Sequence, residues 1–347
     1  MLKVRATERG FSLIEIMIVL VLTTVVMSGV FGLLYRGQES FRREPEVSEV
    51  NSNARSGLDM IARDLVLAGR RSPPAMAVLW SDGGGNNPDG ITVLYADANV
   101  PTSRPLQCGG GGGPCNTISM SSTVNIDPST FDPPSADPAS AYADGMVLFA
   151  LETSDCNGDG QLGIYPFEVT QPPQCTGAGG GGGGPGSCTT LNINHNPGNG
   201  VTGLNEPNGF NDQIRSDCAV IGFFHAVQYR VNPPPPTDSP SLERRDLSLA
   251  EPWIPVSRNI ENLQFEYGLG SAGASVAMPA TPNPADPETW VTRVKVTTFG
   301  RSQSTNLQGA SAGVYSAADT FVRQTFSTLV SLRNVSAASV ATGTGYN

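Results

Sequence analysis

The 347 residues carry 21 Lys and Arg against 31 Asp and Glu, a net charge of −10 with no long basic run, which argues against nucleic-acid binding through a basic face. Only 15% of residues are charged, while Gly numbers 40 and Pro 28, a composition that suits a loop-rich β protein better than a helical one.

The first ten residues, Met1 to Gly10, are polar, with Lys3, Arg5 and Arg9 against Glu8. From Phe11 to Leu34 the chain is almost wholly apolar. At about 1.5 Å rise per residue, a helix of that length spans a bilayer core of ~30 Å. Positive charge ahead of the span holds the leader on the cytoplasmic side and places the remainder outside. The apolar run is too long for a secretory signal peptide, and no Ala-x-Ala site follows it. Glu15 lies within the span, where an ionised carboxylate is costly without a partner.

The run Gly10-Phe11-Ser12-Leu13-Ile14-Glu15 closely resembles the processing site of type IV prepilins. The resemblance implies a leader (1–10) that a prepilin peptidase removes after Gly10, and methylation of the new N-terminus, Phe11. It implies that Glu15 then pairs with the amino group of a neighbouring subunit, so that assembly supplies the missing cation.

Over 35–71 an amphipathic stem helix follows. Val47, Val50, Ala54, Leu58, Ile61, Leu65 and Ala68 form one stripe at spacings of three and four, with Arg55, Asp59, Arg63 and Asp64 off it. The stripe is expected to pack on the head's own sheet. Gly69 is the expected stop, and Gly29, Gly32 and Pro45 are places for the long helix to bend or melt.

Residues 72–347 read as a β-rich head. Strands are expected at Ile91–Ala96, Met146–Leu151, Ile164–Val169, Ala219–Val231, Ile260–Tyr267, Val291–Phe299 and Phe321–Leu332. The fold class is therefore α+β, a long N-terminal helix on a largely antiparallel sheet. Glycine tracts interrupt the head: Gly109–Gly113 lies between Cys108 and Cys115, and Gly179–Gly184 between Cys175 and Cys188. With Cys156 and Cys218 the cysteines number six, all beyond the span, where an even count favours disulfides. Local bridges across each glycine tract are one pairing; pairing of Cys156 and Cys218 or others across the sheet is the alternative.

Asp155, Asn157, Asp159 and Gln161 follow the alternating oxygen pattern of a calcium loop, with three side-chain ligands and a backbone carbonyl. The twelfth position is Pro166 instead of the usual Glu, and Glu168 closes the shell only if the next strand bends back past it. A plain polar turn is the alternative. No catalytic arrangement stands out: His195 reads as part of a polar loop, and His225 as a core or strand-face residue. The chain is expected not to be an enzyme.

Segments of the head also resemble PilW-type minor pilins, in order: Gly90–Tyr95, Ser241–Arg245, Arg258–Gly268, Val294–Val296 and Phe326–Asn334. The Gly- and Pro-rich insertions depart from that pattern. The resemblance implies an inner-membrane protein with a periplasmic head that joins major and minor pilins at the filament tip, after leaving inner-membrane lipid. A J-type pseudopilin of type II secretion and a tip adhesin are the rival readings.

Overall fold

The computed structural model describes residues 12–84, 87–106, 123–154, 162–176, 188–196, 204–205, 218–232, 240–271, 274–275, 289–307, 310–312 and 320–335. One helix, α1 (Leu13–Leu67), opens the chain. The strands that follow are β1 (Val78–Ser81), β2 (Gly90–Ala96), β3 (Thr102–Pro105), β4 (Thr123–Asp132), β5 (Val147–Glu152), β6 (Ile164–Glu168), β7 (Gln171–Thr176), β8 (Thr190–Asn194) and β9 (Ala219–Gly222). After them come β10 (Phe224–Asn232), β11 (Ser241–Asp246), β12 (Ile254–Arg258), β13 (Ile260–Ser271), β14 (Ala274–Ser275), β15 (Thr289–Thr305), β16 (Ser311–Ala312) and β17 (Thr320–Ser331). They form three largely antiparallel sheets, ordered β1-β2-β10-β11-β12, β14-β13-β15-β17-β16 and β6-β5-β9-β3-β4-β8-β7. The α+β class is as expected.

The helix runs unbroken through Gly29, Gly32 and Pro45. Pro45 has no N–H to offer the carbonyl one turn back, a local loss that does not end the helix here. The chain divides into two compact units, 1–51 with 301–324 and 52–300 with 325–347.

In the first unit, Glu46 fastens α1 to the end of β15. Its carboxylate accepts from Ser304 Oγ (2.5 Å), Gln303 N (2.8 Å) and Ser304 N (3.2 Å). Burial alone would raise the Glu46 pKa; these hydrogen bonds outweigh it and hold the carboxyl below its ordinary value. In the same unit β16 pairs with β17, Ser311 with Phe321 and Ala312 with Thr320.

In the second unit the expected helical stripe is the core. Ala54, Ile61, Leu65 and Ala68 are fully buried and Leu58 nearly so, against Ile91 and Val93 of β2, Val227, Tyr229 and Val231 of β10, and Leu263, Val294 and Val296 of the β13–β15 sheet. Burying each large aliphatic side chain contributes roughly 1.5–3 kcal/mol. Gly57 lets α1 come close to β11: a Cβ there would lie 2.9 Å from Leu242 Cδ2. Gly69 ends the turn beyond the helix at φ +76°, a left-handed conformation, and its N–H donates to the Leu94 carbonyl at 3.0 Å. Further along β2, Leu94 and Ala96 point to the opposite face, as do Phe224 and Ala226 of β10. They pack with Val147, Phe149 and Leu151 of β5, so this part of the sheet is buried on both faces.

The run expected as one strand, Ala219–Val231, is two. β9 pairs with β5 and β3 in the seven-stranded sheet, β10 pairs with β2 and β11 in the first, and the chain changes sheets at Phe223. Asp64, expected to lie off the stripe, is buried at 7% exposure. Positions 61, 64 and 68 share the helical spacing too, so the stripe is wider than its apolar members. His195 is not in an open loop either: directly after β8, it is 1% exposed against the Phe167 ring (centroids 5.5 Å), and burial pushes its pKa down to about 4.

Candidate functional site

The first half of α1 is apolar enough to cross a membrane, and no other described residue buries it. Its most apolar stretch has a mean hydropathy of 2.5, none of it buried. Leu13 is 77% exposed, Val21 62% and Leu33 73%. Thr23 and Thr24 do not break the apolar surface, because each hydroxyl donates to the carbonyl one turn back, Val19 and Leu20, both at 2.7 Å. The surface is therefore satisfied in its hydrogen bonds yet apolar on every side, the condition for immersion in lipid or among other helices. Glu15 lies in the first turn, exposed, its backbone N–H donating to the Ser12 carbonyl at 3.0 Å.

Residues 5–31 match the family model of the prokaryotic N-terminal methylation motif. The chain thus carries a leader of the type IV pilin and pseudopilin kind, followed by a helix consistent with single-pass anchoring. No curated protein and no solved structure matches the chain. The motif suggests a structural protein and not an enzyme. Gly10 and Phe11, the residues of the expected cut, lie outside the described residues.

The expected calcium ligands Asp155, Asn157, Asp159 and Gln161 also lie outside the described residues. Glu168, the expected closing ligand, is at the end of β6 and 3% exposed. Its backbone N–H donates to Asn205 Oδ1 at 2.9 Å and its carbonyl accepts from Asn205 Nδ2 at 3.0 Å. Among the described residues no cluster of three His, Cys, Asp or Glu could hold a metal. Cys175 and Cys188 are joined in a disulfide that closes the loop bearing the second glycine tract, with Cα atoms 5.2 Å apart. Cys218 is disulfide-bonded as well, while Cys108, Cys115 and Cys156 lie outside the described residues.

Behind the helix lies a polar network that the residue pattern did not reveal. Tyr229 Oη donates to Asp64 Oδ2 at 2.6 Å, and Arg244 Nε donates to the same oxygen at 3.2 Å. Arg244 also reaches Glu251 at 3.7 Å. Burial would lower the Arg244 pKa, but the Asp64 charge outweighs it and raises it, while burial and the same carboxylate raise Tyr229. Burial and the charges of Asp64 and Asp246 push Tyr95, on the same sheet, up to about 12. His225 lies between two carboxylates, Nδ1 at 2.6 Å from Asp246 Oδ2 and Nε2 at 3.4 Å from Asp97 Oδ2. With both ring nitrogens facing carboxylates, the imidazole is not placed to take a proton from a nucleophile. Ser248 Oγ donates to Asp246 at 2.6 Å and so is committed to that carboxylate. These groups join strands to each other and to α1. The available signal was the run Glu243-Arg244-Arg245, charged residues inside an otherwise sheet-forming head.

Proposed function

We propose that this chain is a minor pilin of the PilW type that takes part in starting a type IV pilus. A prepilin peptidase cuts after Gly10 and Phe11 is methylated. The helix from residue 11 to 34 first anchors in the inner membrane with the head in the periplasm. It then moves into the filament core among other pilins, where Glu15 meets a neighbour's amino terminus. The head, exposed on the pilus, sits with other minor pilins at the tip.

The observation that carries this reading is the methylation motif over 5–31 running directly into a helix whose apolar half no other described residue buries. Such a half requires lipid or other helices around it. The order of PilW-like segments in the head supports the subtype. They fall on β2, β11, β13, β15 and β17, which frame the core around α1.

Gly10→Val is expected to leave an uncut, membrane-bound precursor, read by mass spectrometry of the N-terminus. A chain that still begins at Phe11 overturns the cleavage site. Deletion of the gene is expected to abolish surface filaments while protein secretion continues. Loss of secretion with filaments intact would transfer the chain to the J-type pseudopilins.

A further inference from the structure

Just beyond the apolar stretch, a groove of about 520 Å³ opens in the first unit. One wall is a single face of α1, Tyr35, Gln38, Arg42 and Glu46; the other is the end of β15 and the residues just after it, Ser304 to Leu307. Its volume lies in the range of small-ligand sites. Two features give it a chemical preference. Arg42 and Glu46 stand one helical turn apart, a spacing at which they would ordinarily pair. Glu46 instead turns to Ser304 and Gln303, where three donors occupy its carboxylate. Arg42 is left exposed, with no hydrogen-bond or ion-pair partner among the described residues. The far wall is built firmly enough to be a wall: Asn306, at φ +58°, donates its N–H to the Thr320 carbonyl (2.8 Å), and its Oδ1 accepts from Thr320 Oγ1 (2.6 Å).

Position supplies the ligand. From Leu13 to Tyr35 the helix rises about 33 Å, close to the ~30 Å core of a bilayer. Tyr35 therefore meets the outer headgroup layer, where tyrosine is favoured. Arg42 lies about 10 Å further out along the axis, within the reach of a long side chain that turns back toward the headgroups. A guanidinium with its fork of donors free fits a phosphate oxygen pair.

We infer that this groove binds the phosphodiester headgroup of a membrane phospholipid, with Arg42 as its cation and Tyr35 at its lipid end, while the chain is still in the bilayer. The inference rests on the reading of α1's apolar half as a membrane span. Occupation fixes how deep and at what rotation the precursor sits, and the lipid leaves when the helix is drawn into a filament. The Glu46 carboxylate in the same groove keeps its charge, but its oxygens are turned to Ser304 and Gln303, which leaves the Arg42 guanidinium unpaired by it.

The full chain, extracted from membranes in mild detergent, is examined by native mass spectrometry for retained phospholipid. Wild type is expected to hold lipid, Arg42→Gln to hold about tenfold less, and Arg42→Lys an intermediate amount. Millimolar inorganic phosphate should not displace it. Displacement by phosphate would mean a free-anion site and overturn the lipid assignment. Alkaline carbonate extraction separates the two readings. A chain washed from membranes sinks the span and the groove with it. A chain that stays while Arg42→Gln retains as much lipid as wild type, with an unchanged head melt, overturns the groove alone.

Discussion

From Leu13 to Leu34, α1 turns apolar side chains outward on every side; Val50, Ala54, Leu58, Ile61 and Leu65 further along it are all buried on one stripe. Both halves are helical for different reasons. The second half is held by tertiary burial, with Ala54, Ile61 and Leu65 fully covered by Val, Ile, Leu and Tyr of β2, β10, β13 and β15. The first has no such cover, and its helix is what an apolar chain adopts when every backbone group must be satisfied internally. Polar atoms follow the same division. In the first half Thr23 and Thr24 return their hydroxyls to the helix backbone. In the second, Asp64 reaches outward to Tyr229 and Arg244 on separate strands. One element thus leaves its apolar chemistry exposed over its first part and turns it toward its own fold over its second.

The sharpest way to break that division is to shorten one side chain in each half. Ile61→Ala is expected to cost about 2–5 kcal/mol of head stability, from lost transfer energy and the cavity left behind. Val21→Ala should leave the head's unfolding midpoint where it is, because Val21 is 62% exposed and touches no core. Denaturant unfolding of the full chain in detergent, followed by tryptophan fluorescence, measures both. If Val21→Ala moves the head's midpoint as far as Ile61→Ala does, the two halves are not energetically separate.

A smaller effect is expected at Asp64. Asp64→Ala leaves the Arg244 charge and the Tyr229 hydroxyl without their shared acceptor. Breaking a fully buried pair costs on the order of 3–5 kcal/mol. Arg244 is a quarter exposed and keeps Glu251 at 3.7 Å, so about 2–3 kcal/mol is the expectation here. The double variant Asp64→Leu with Arg244→Leu should recover part of the loss. A single variant as stable as wild type would mean that the carboxylate serves no structural purpose.

The apolar parts of this architecture were legible because their period is local. The stripe on α1 and the runs that became β2, β5, β13 and β15 announce themselves within a few residues. What was not legible depends on partners far along the chain. β11, Ser-Leu-Glu-Arg-Arg-Asp, does not read as a buried strand. It becomes one because Glu243 meets Arg230, Arg245 meets Gln228, and Arg244 meets an acid 180 residues away. β7 contains Pro172 and Pro173, which demote a strand unless it lies at a sheet edge, and the topology puts it at an edge. The candidate site shows the same contrast. A methylation motif is a contiguous string and can be recognised in it. The groove beside Arg42 cannot, since its second wall is some 258 residues on.

The smallest expected effect also sharpens the division, because it assigns a pH response to the head. His225 is held by a hydrogen bond it donates to Asp246, opposed by burial and assisted by the Asp246 charge and by Asp97; the net result raises its pKa above the ordinary 6.5. The groups facing it are Asp97 at the end of β2, Asp246 at the end of β11, and the rings of Tyr95 and Phe223. Both carboxyls are held below their ordinary values. Burial would raise Asp246, and the His225 and Ser248 bonds reverse it; Asp97 is lowered first by the Asn99 backbone N–H. A group whose folded pKa is raised binds its proton more tightly in the folded state. Its contribution is therefore fully present below about 6.5 and is lost as pH rises through the higher folded value. The carboxyls act in the other direction, contributing above their ordinary value and losing that contribution as pH falls through the lowered one. Head stability should accordingly decline from mildly acidic toward alkaline pH, and His225→Gln should flatten that decline without altering the behaviour of the apolar half. Unfolding midpoints of wild type and variant, taken across neutral pH, test this. Parallel curves would show that the imidazole stays neutral between its two carboxylates.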